Sequence, residues 1–238
     1  MFATGTLVNT AAVILGGGAG LLLKKGIKEN VQETVMKALG TATLVMGLSE
    51  VMAKMLVIKE EGIATQGTML LIFSLAIGAV LGEWLKLEYR MEQFGEFLRR
   101  LFHVEDNGSF LEGFLTNALV ICIGAMAIVG SLQDGISHDP SMLYAKAILD
   151  AMISMVFASS LGIGVLFAAI PLFLYQGAIT ILGSVIAPFL TDALIADLTF
   201  IGNVLISLVG VNLLFGKQIR VANLLPALLL PVVYRMFL

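Results

Sequence analysis

Lys146 and Asp150 stand four residues apart in Ala145-Lys146-Ala147-Ile148-Leu149-Asp150, a spacing that puts both on one face of a helix. Around them runs the almost unbroken apolar stretch 142–190. An Asp at the centre of a bilayer costs roughly 2.5–3.5 kcal/mol on the insertion scale, so it should face the protein interior and usually marks a site. Two readings are open. The pair neutralises itself and pins a helix, or it forms an ion or substrate site. In the second, Lys146 holds an anionic group or releases Asp150 when a cation arrives.

Other polar residues sit in apolar runs. Glu50 is either a protonated, neutral side chain or a proton-coupling carboxylate, and it too is expected to face the bundle interior. Gln176-Gly177 follows Pro171, which frees a backbone carbonyl one turn earlier, and Gly177 is expected to allow close approach. Asn117, Asn203 and Asn212 carry amides able to bond across helices or line a path. The candidate substrate or ion site is therefore Asp150, Lys146, Glu50, Gln176, Asn117 and Asn203.

Enzymatic chemistry has little material. Cys122 is the single cysteine, and the two histidines, His103 and His138, fall in different polar loops. Gly16-Gly17-Gly18-Ala19-Gly20 lacks the Gly-Lys-Ser/Thr of a phosphate loop. Gly16 and Gly20 instead form a small-xxx-small helix face, as do Gly78 and Gly82. Neither catalysis, a cofactor nor a bound metal is expected.

The elements that must carry these residues follow from composition. Of 238 residues, 58% are hydrophobic and 13% charged, and the mean hydropathy is +0.98. Soluble domains carry about a quarter charged residues, so this chain is solvated mainly by lipid. The fold class is an all-α integral membrane bundle of 7–8 spans forming a single membrane domain over 1–238. With about 20 apolar residues per span, the spans fall near 3–23, 36–57, 65–85, 110–132, two within 141–190 divided near Gly162-Ile-Gly164, and 194–215. The segment 221–237, holding Pro226 and Pro231, is short and reads as a tilted span or a re-entrant piece, with the span preferred. The first run is read as a span and not a cleavable signal peptide, because it is long and Lys24-Lys25 follow it.

Lys24, Lys25 and Lys28 follow span 1, Lys86, Arg90, Arg99 and Arg100 follow span 3, and Lys217 and Arg220 follow span 7. Asp134, Asp139, Asp192 and Asp197 lie in loops without Lys or Arg, and Lys59 is offset by Glu60-Glu61. The positive-inside rule puts the basic loops in the cytoplasm and the N-terminus outside. Within 86–105, Leu87, Met91, Phe94, Leu98 and Leu101 recur at spacings of three and four, which predicts an amphipathic interfacial helix, either a structural float or a partner site. Asn9-x6-Gly16, Asn117-x6-Gly124 and Asn203-x6-Gly210 share a spacing of about two turns. Lys37-Ala-Leu echoes Lys146-Ala-Ile. Together they suggest an inverted repeat with units 1–85 and 110–190, an architecture of secondary transporters.

The pieces Gly5-Thr-Leu-Val-Asn9, Lys146-Ala-Ile-Leu-Asp150, Leu161-Gly-Ile-Gly164, Gln176-Gly177, Gly210-Val-Asn212-Leu-Leu and Ile219-Arg-Val-Ala-Asn223-Leu-Leu-Pro226-Ala are fairly specific in combination. With them the chain resembles the YqgA/YdfK-type bacterial membrane proteins, a domain family of unknown function, over essentially its whole length. That resemblance implies a multi-pass protein of the bacterial cytoplasmic membrane and supplies no catalytic residue. The expected function is a secondary transporter or channel-like carrier of an ion or small solute. The alternative is a non-transporting structural or regulatory membrane protein. Expected partners are the lipid bilayer and a small solute or ion (Na+ or H+), with no nucleic acid; a homo-oligomer is compatible with the pattern.

Overall fold

The computed structural model describes residues 3–24, 29–59, 62–105 and 109–236. Lys25, Lys28, Glu60 and Glu61 lie outside the described residues. The elements are α1 (Thr4–Lys24), α2 (Glu29–Met55), β1 (Leu56–Lys59), β2 (Gly62–Thr65), α3 (Thr68–Leu85), α4 (Leu87–Leu101), α5 (Phe110–Cys122), α6 (Ala125–Ile136), α7 (Ser141–Leu161), α8 (Gly164–Phe167), α9 (Ala169–Ile181), α10 (Gly183–Ile186), α11 (Asp192–Phe215) and α12 (Leu229–Met236). Among the described residues, six helical segments are long and apolar enough to cross a membrane; the bent pair α5–α6, which has the form of a broken span or of a re-entrant loop, makes seven if it is one span. The chain is an all-α polytopic membrane protein. Its one described sheet, the antiparallel hairpin β1–β2, was not expected from the sequence.

Contacts divide the chain into two compact units, residues 1–37 with 91–190 and residues 38–90 with 191–238. Both differ from the sequence repeat units.

In the first unit, α1 and α7 form the most extensive helix pair. A Cβ on Gly16 would strike the Ala151 carbonyl, and one on Gly20 the Met155 carbonyl, so glycine lets the two backbones touch. Gly5 lies against Leu143, Gly16 against Ala151 and Gly20 against Met155, so the two helices run parallel. The expected continuous span 110–132 is broken at Ile123–Gly124, where the axis turns by 62°. Gly124 has φ +149°, a conformation that favours glycine. The helix therefore ends at Cys122, and Asn117 and Gly124 do not share a helical face as their spacing had suggested. The division of 141–190 falls where expected: α7 ends at Leu161, Gly162 caps it with φ +84°, and the next span starts at Gly164. Lys24 Nζ donates to the Ser160 carbonyl at 3.0 Å, neutralising the C-terminal end of α7.

In the second unit, Gly40 and Gly47 of α2 pack on α11, and Gly210 of α11 packs on Leu44. Gly78 and Gly82 of α3 meet the backbone at Ala227 and Asn223. Residues Val221–Leu228 form a 3-10 helix containing Pro226, which cannot donate a helical hydrogen bond. With about 2.0 Å of rise per 3-10 residue and about 1.5 Å per α residue, 221–235 reaches about 26 Å, against about 30 Å for a hydrocarbon core. Val51, Phe200, Ile201 and Ala227 form a buried apolar cluster in this unit.

The amphipathic helix appears as α4. Gly95 and Leu98 are buried, while Phe97, Leu101 and Phe102 are exposed, in keeping with an interfacial position. Its first turn is tied down: Glu88 accepts from Lys217 Nζ at 2.7 Å and from the Ala222 N–H at 3.3 Å.

Candidate functional site

Three helices of the first unit place polar side chains in one apolar interior. On α7, Lys146 and Asp150 fall on the buried face with Leu143, Ala147 and Ser154. Asp150 stands nine residues into this 21-residue helix, near its midpoint. On α1, Thr6, Asn9 and Val13 lie on the buried face. On α9, Leu172, Gln176 and Thr180 do so.

Lys146 Nζ donates to Asp150 Oδ1 at 2.7 Å and Oδ2 at 2.6 Å. Its third contact is the Ile121 carbonyl at 2.8 Å. Ile121 is in the last turn of α5, just before the break, where terminal carbonyls lack helical partners and carry the negative end of the helix dipole. All three ammonium donors are thus matched by oxygen. Asn9 Nδ2 donates to Asp150 Oδ2 at 2.9 Å and to Gln176 Oε1 at 3.2 Å. The other ends of both amides, Asn9 Oδ1 and Gln176 Nε2, are buried with no hydrogen-bond partner among the described residues. An unsatisfied buried polar atom costs about 1–3 kcal/mol, and here two lie close to a buried ion pair.

The polar line continues along α1 towards its N-terminus. Thr6 Oγ1 and Thr180 Oγ1 are 3.4 Å apart, and Asp134 Oδ2 accepts the Gly5 N–H at 2.9 Å. Asp134 was expected in a polar loop. Instead α6 runs on to Ile136, and Asp134 is fully buried, stabilising the positive end of α1. Asp134 Oδ1 and Ser131 Oγ are also without partners among the described residues. One turn beyond Asp150, Asn117 Nδ2 donates to Ser154 Oγ and the Val165 carbonyl, each at 3.0 Å. Asn117 thus forms a separate tier that ties α5 to α7 and to the start of the next span.

Of the six residues expected at the site, Lys146, Asp150 and Gln176 come together, and Asn117 lies one turn away on the same helix pair. Glu50 and Asn203 belong to the second unit. Glu50 is exposed on α2, contrary to the expectation that it faces the interior. The packed face of α2 holds Gly40, Gly47 and Val51, and Glu50 is about a quarter turn off it. Asn203 is half-buried on α11, where its carbonyl accepts from Ser207 Oγ. Lys37, the proposed echo of Lys146, is exposed and pairs with Glu33 at 2.7 Å. Asn212 folds back on its own loop, accepting from the Gln218 and Ile219 N–H groups. A Cβ on Gly177 would meet no described atom within 4 Å, so Gly177 makes no close approach. Pro171 sits in the first turn of α9, and the irregularity it causes is at Ala168.

Asn9 is the site residue that sequence reasoning missed as a ligand, although its Asn-x6-Gly spacing was noticed. The Ile121 carbonyl had no side-chain signal; the only hint was Gly124. Among the described residues, no group of three or more His, Cys, Asp or Glu side chains is placed to hold a metal ion.

The family described as "Protein of unknown function (DUF554)" matches residues 4–236. The "Uncharacterized membrane protein YdfK" of Bacillus subtilis (strain 168) is 33% identical over 227 residues, covering 95% of this chain and 93% of that protein. The "Uncharacterized protein YqgA" of Escherichia coli (strain K12) is 30% identical over 230 residues, again 95% and 93% of the two chains. No solved structure matches the chain.

Proposed function

The chain belongs to the DUF554 family, and we propose that it is a secondary transporter or channel-like carrier of a small cation, Na+ or H+, or of a solute coupled to one, in the bacterial cytoplasmic membrane. The observation that carries this reading is the Lys146–Asp150 pair at the break of a discontinuous helix, flanked by the two unpaired amide atoms of Asn9 and Gln176. Discontinuous helices with terminal carbonyls facing a midplane site are a recurrent transporter device.

In this reading Lys146 is a tethered cation occupying the place of the mobile one. Asp150 Oδ1 and Oδ2, the Ile121 carbonyl, Asn9 Oδ1 and Gln176 Oε1 supply oxygen, the donor set that hard cations prefer. An entering Na+ displaces the ammonium from the carboxylate; an entering proton neutralises Asp150 and releases Lys146. Either event frees Lys146 from the Asp150 carboxylate and leaves the Ile121 carbonyl as its remaining tie between α7 and α5 at the break. Buried polar groups from Asp134 through Thr6 and Thr180 to Asn9 give the ion a route from the α1 N-terminus. The loop charges put that end outside the cell and the N-terminus with it. Catalysis has no place in this reading.

The test is ion flux in proteoliposomes under Na+ and pH gradients, with thermal shift against Na+ and pH on the purified protein. Asp150→Asn is expected to abolish the flux and the ligand-dependent shift. Flux equal to that of the unaltered protein would remove Asp150 from the mechanism.

A further inference from the structure

The second unit carries a separate constellation that the cation site does not use. Asp197, in the first turns of α11, is buried and holds two cations. Arg235 Nε and Nη2 both reach Asp197 Oδ2, at 2.8 and 2.6 Å, and Lys54 Nζ lies 3.4 Å from Oδ1. These three residues line a cavity of about 400 Å³. Two cations against one carboxylate leave a net charge of +1 in its wall. Arg235 spends two donors on a single oxygen, and both cationic side chains are about a third exposed. Each therefore has donors left for a second anion.

The rest of the wall suits an anion as well. Thr65 and Thr68 bring hydroxyls, and α3 begins here, with Gly67 at φ +75° and no side-chain cap. Leu71 is the first residue whose N–H bonds back, to the Gly67 carbonyl, so the N–H groups of Thr68, Met69 and Leu70 have no partner in the helix, and those residues line the cavity. Helix N-termini with Arg and Lys together recognise phosphate oxygens. Phe200 gives the cavity an apolar side.

We propose that this cavity binds an oxyanion of the phosphate class, with Arg235 and Lys54 as its charged ligands and Asp197 as the internal counter-anion that positions them. The cavity lies at the ends of membrane-length helices, so the phosphate could be carried by a free anion or by a lipid headgroup. Asp197 sets the affinity, because it competes with the guest for the same donors.

The experiment uses the full-length protein purified in a non-phosphate detergent. Inorganic phosphate is titrated by thermal shift and calorimetry, and phosphatidylglycerol is added in a second arm and followed by native mass spectrometry. Binding of inorganic phosphate is expected to weaken about tenfold or more in Arg235→Gln and in Lys54→Gln, since each loses charge-assisted hydrogen bonds. Asp197→Asn is expected to bind more tightly than the unaltered protein, an outcome that a merely damaged fold would not give. Binding of phosphatidylglycerol alone, with the same variant pattern, assigns the phosphate to a lipid. No binding in either arm, or binding unchanged in Arg235→Gln, would overturn the proposal. So would a loss of binding in Asp197→Asn with the fold retained.

Discussion

The Lys146–Asp150 pair can be tested by separating its structural contribution from its function. At 2.6 Å and an effective dielectric constant near 20, the attraction between Nζ and Oδ2 is about 6 kcal/mol. Removing two charges from water costs several kcal/mol for each, so against a well-packed apolar pair the ion pair contributes close to nothing net. Breaking it is different. Lys146→Met leaves Asp150 with only the Asn9 amide, and Asp150→Asn leaves the ammonium with the Ile121 carbonyl and a neutral amide. Each single variant should lose about 3–5 kcal/mol, which is about 6–20 °C in Tm for a chain of this length. The double variant Lys146→Met/Asp150→Leu should recover to within about 1 kcal/mol of the unaltered protein or exceed it, yet carry no flux. Thermal unfolding in detergent, paired with proteoliposome flux, reads both quantities. A folded double variant that still transports would refute the site. If it were as unstable as the singles, the argument that the pair is dispensable to the fold would fail. If the singles unfolded with the unaltered protein, the pair would not be coupled at all.

Two further outcomes are expected. Gly16→Ala drives a methyl group into the Ala151 carbonyl and should destabilise by about 1–3 kcal/mol, whereas Gly18→Ala meets no described atom within 4 Å and should be neutral or gain about 0.5–1 kcal/mol from helix propensity; thermal unfolding of the two variants compares them directly. On α4, hydrogen bonds from Arg99 and then Arg100 lower the Glu96 carboxyl from 4.5 to about 2. A carboxylate lowered on folding stabilises above its unfolded pKa, so the α4 C-terminal turn should be fully protected above about pH 4.5 and loosen as pH falls towards 2. Hydrogen exchange of the full-length protein, corrected for intrinsic rates, should show this, and Glu96→Gln should remove the pH dependence.

Much of this protein was legible because lipid imposes simple demands on a sequence. An apolar run of membrane length must be helical, as its backbone polar groups have no other partners, and α1, α3, α7 and α11 follow. The period of α4, the break at Gly162–Gly164 and the Gly16/Gly20 packing face were read from local patterns, because each depends on neighbours three or four residues away. The i,i+4 geometry of Lys146 and Asp150 was legible for the same reason.

Only the tertiary structure decided what surrounds that pair. Asn9 and Gln176 are 167 residues apart, and which amide meets Asp150 depends on the parallel seating of α1 on α7, a matter of backbone approach at Gly16 and Gly20. Apolar content could not reveal that α5 stops at Cys122, because a helix and a broken helix have the same composition. A carbonyl such as that of Ile121 leaves no mark in the side-chain alphabet. Glu50 and Asp150 look alike in sequence, each a carboxylate in an apolar run. Their fates differ because burial is set by which face of a helix its neighbours cover, and in α2 the glycines take that face.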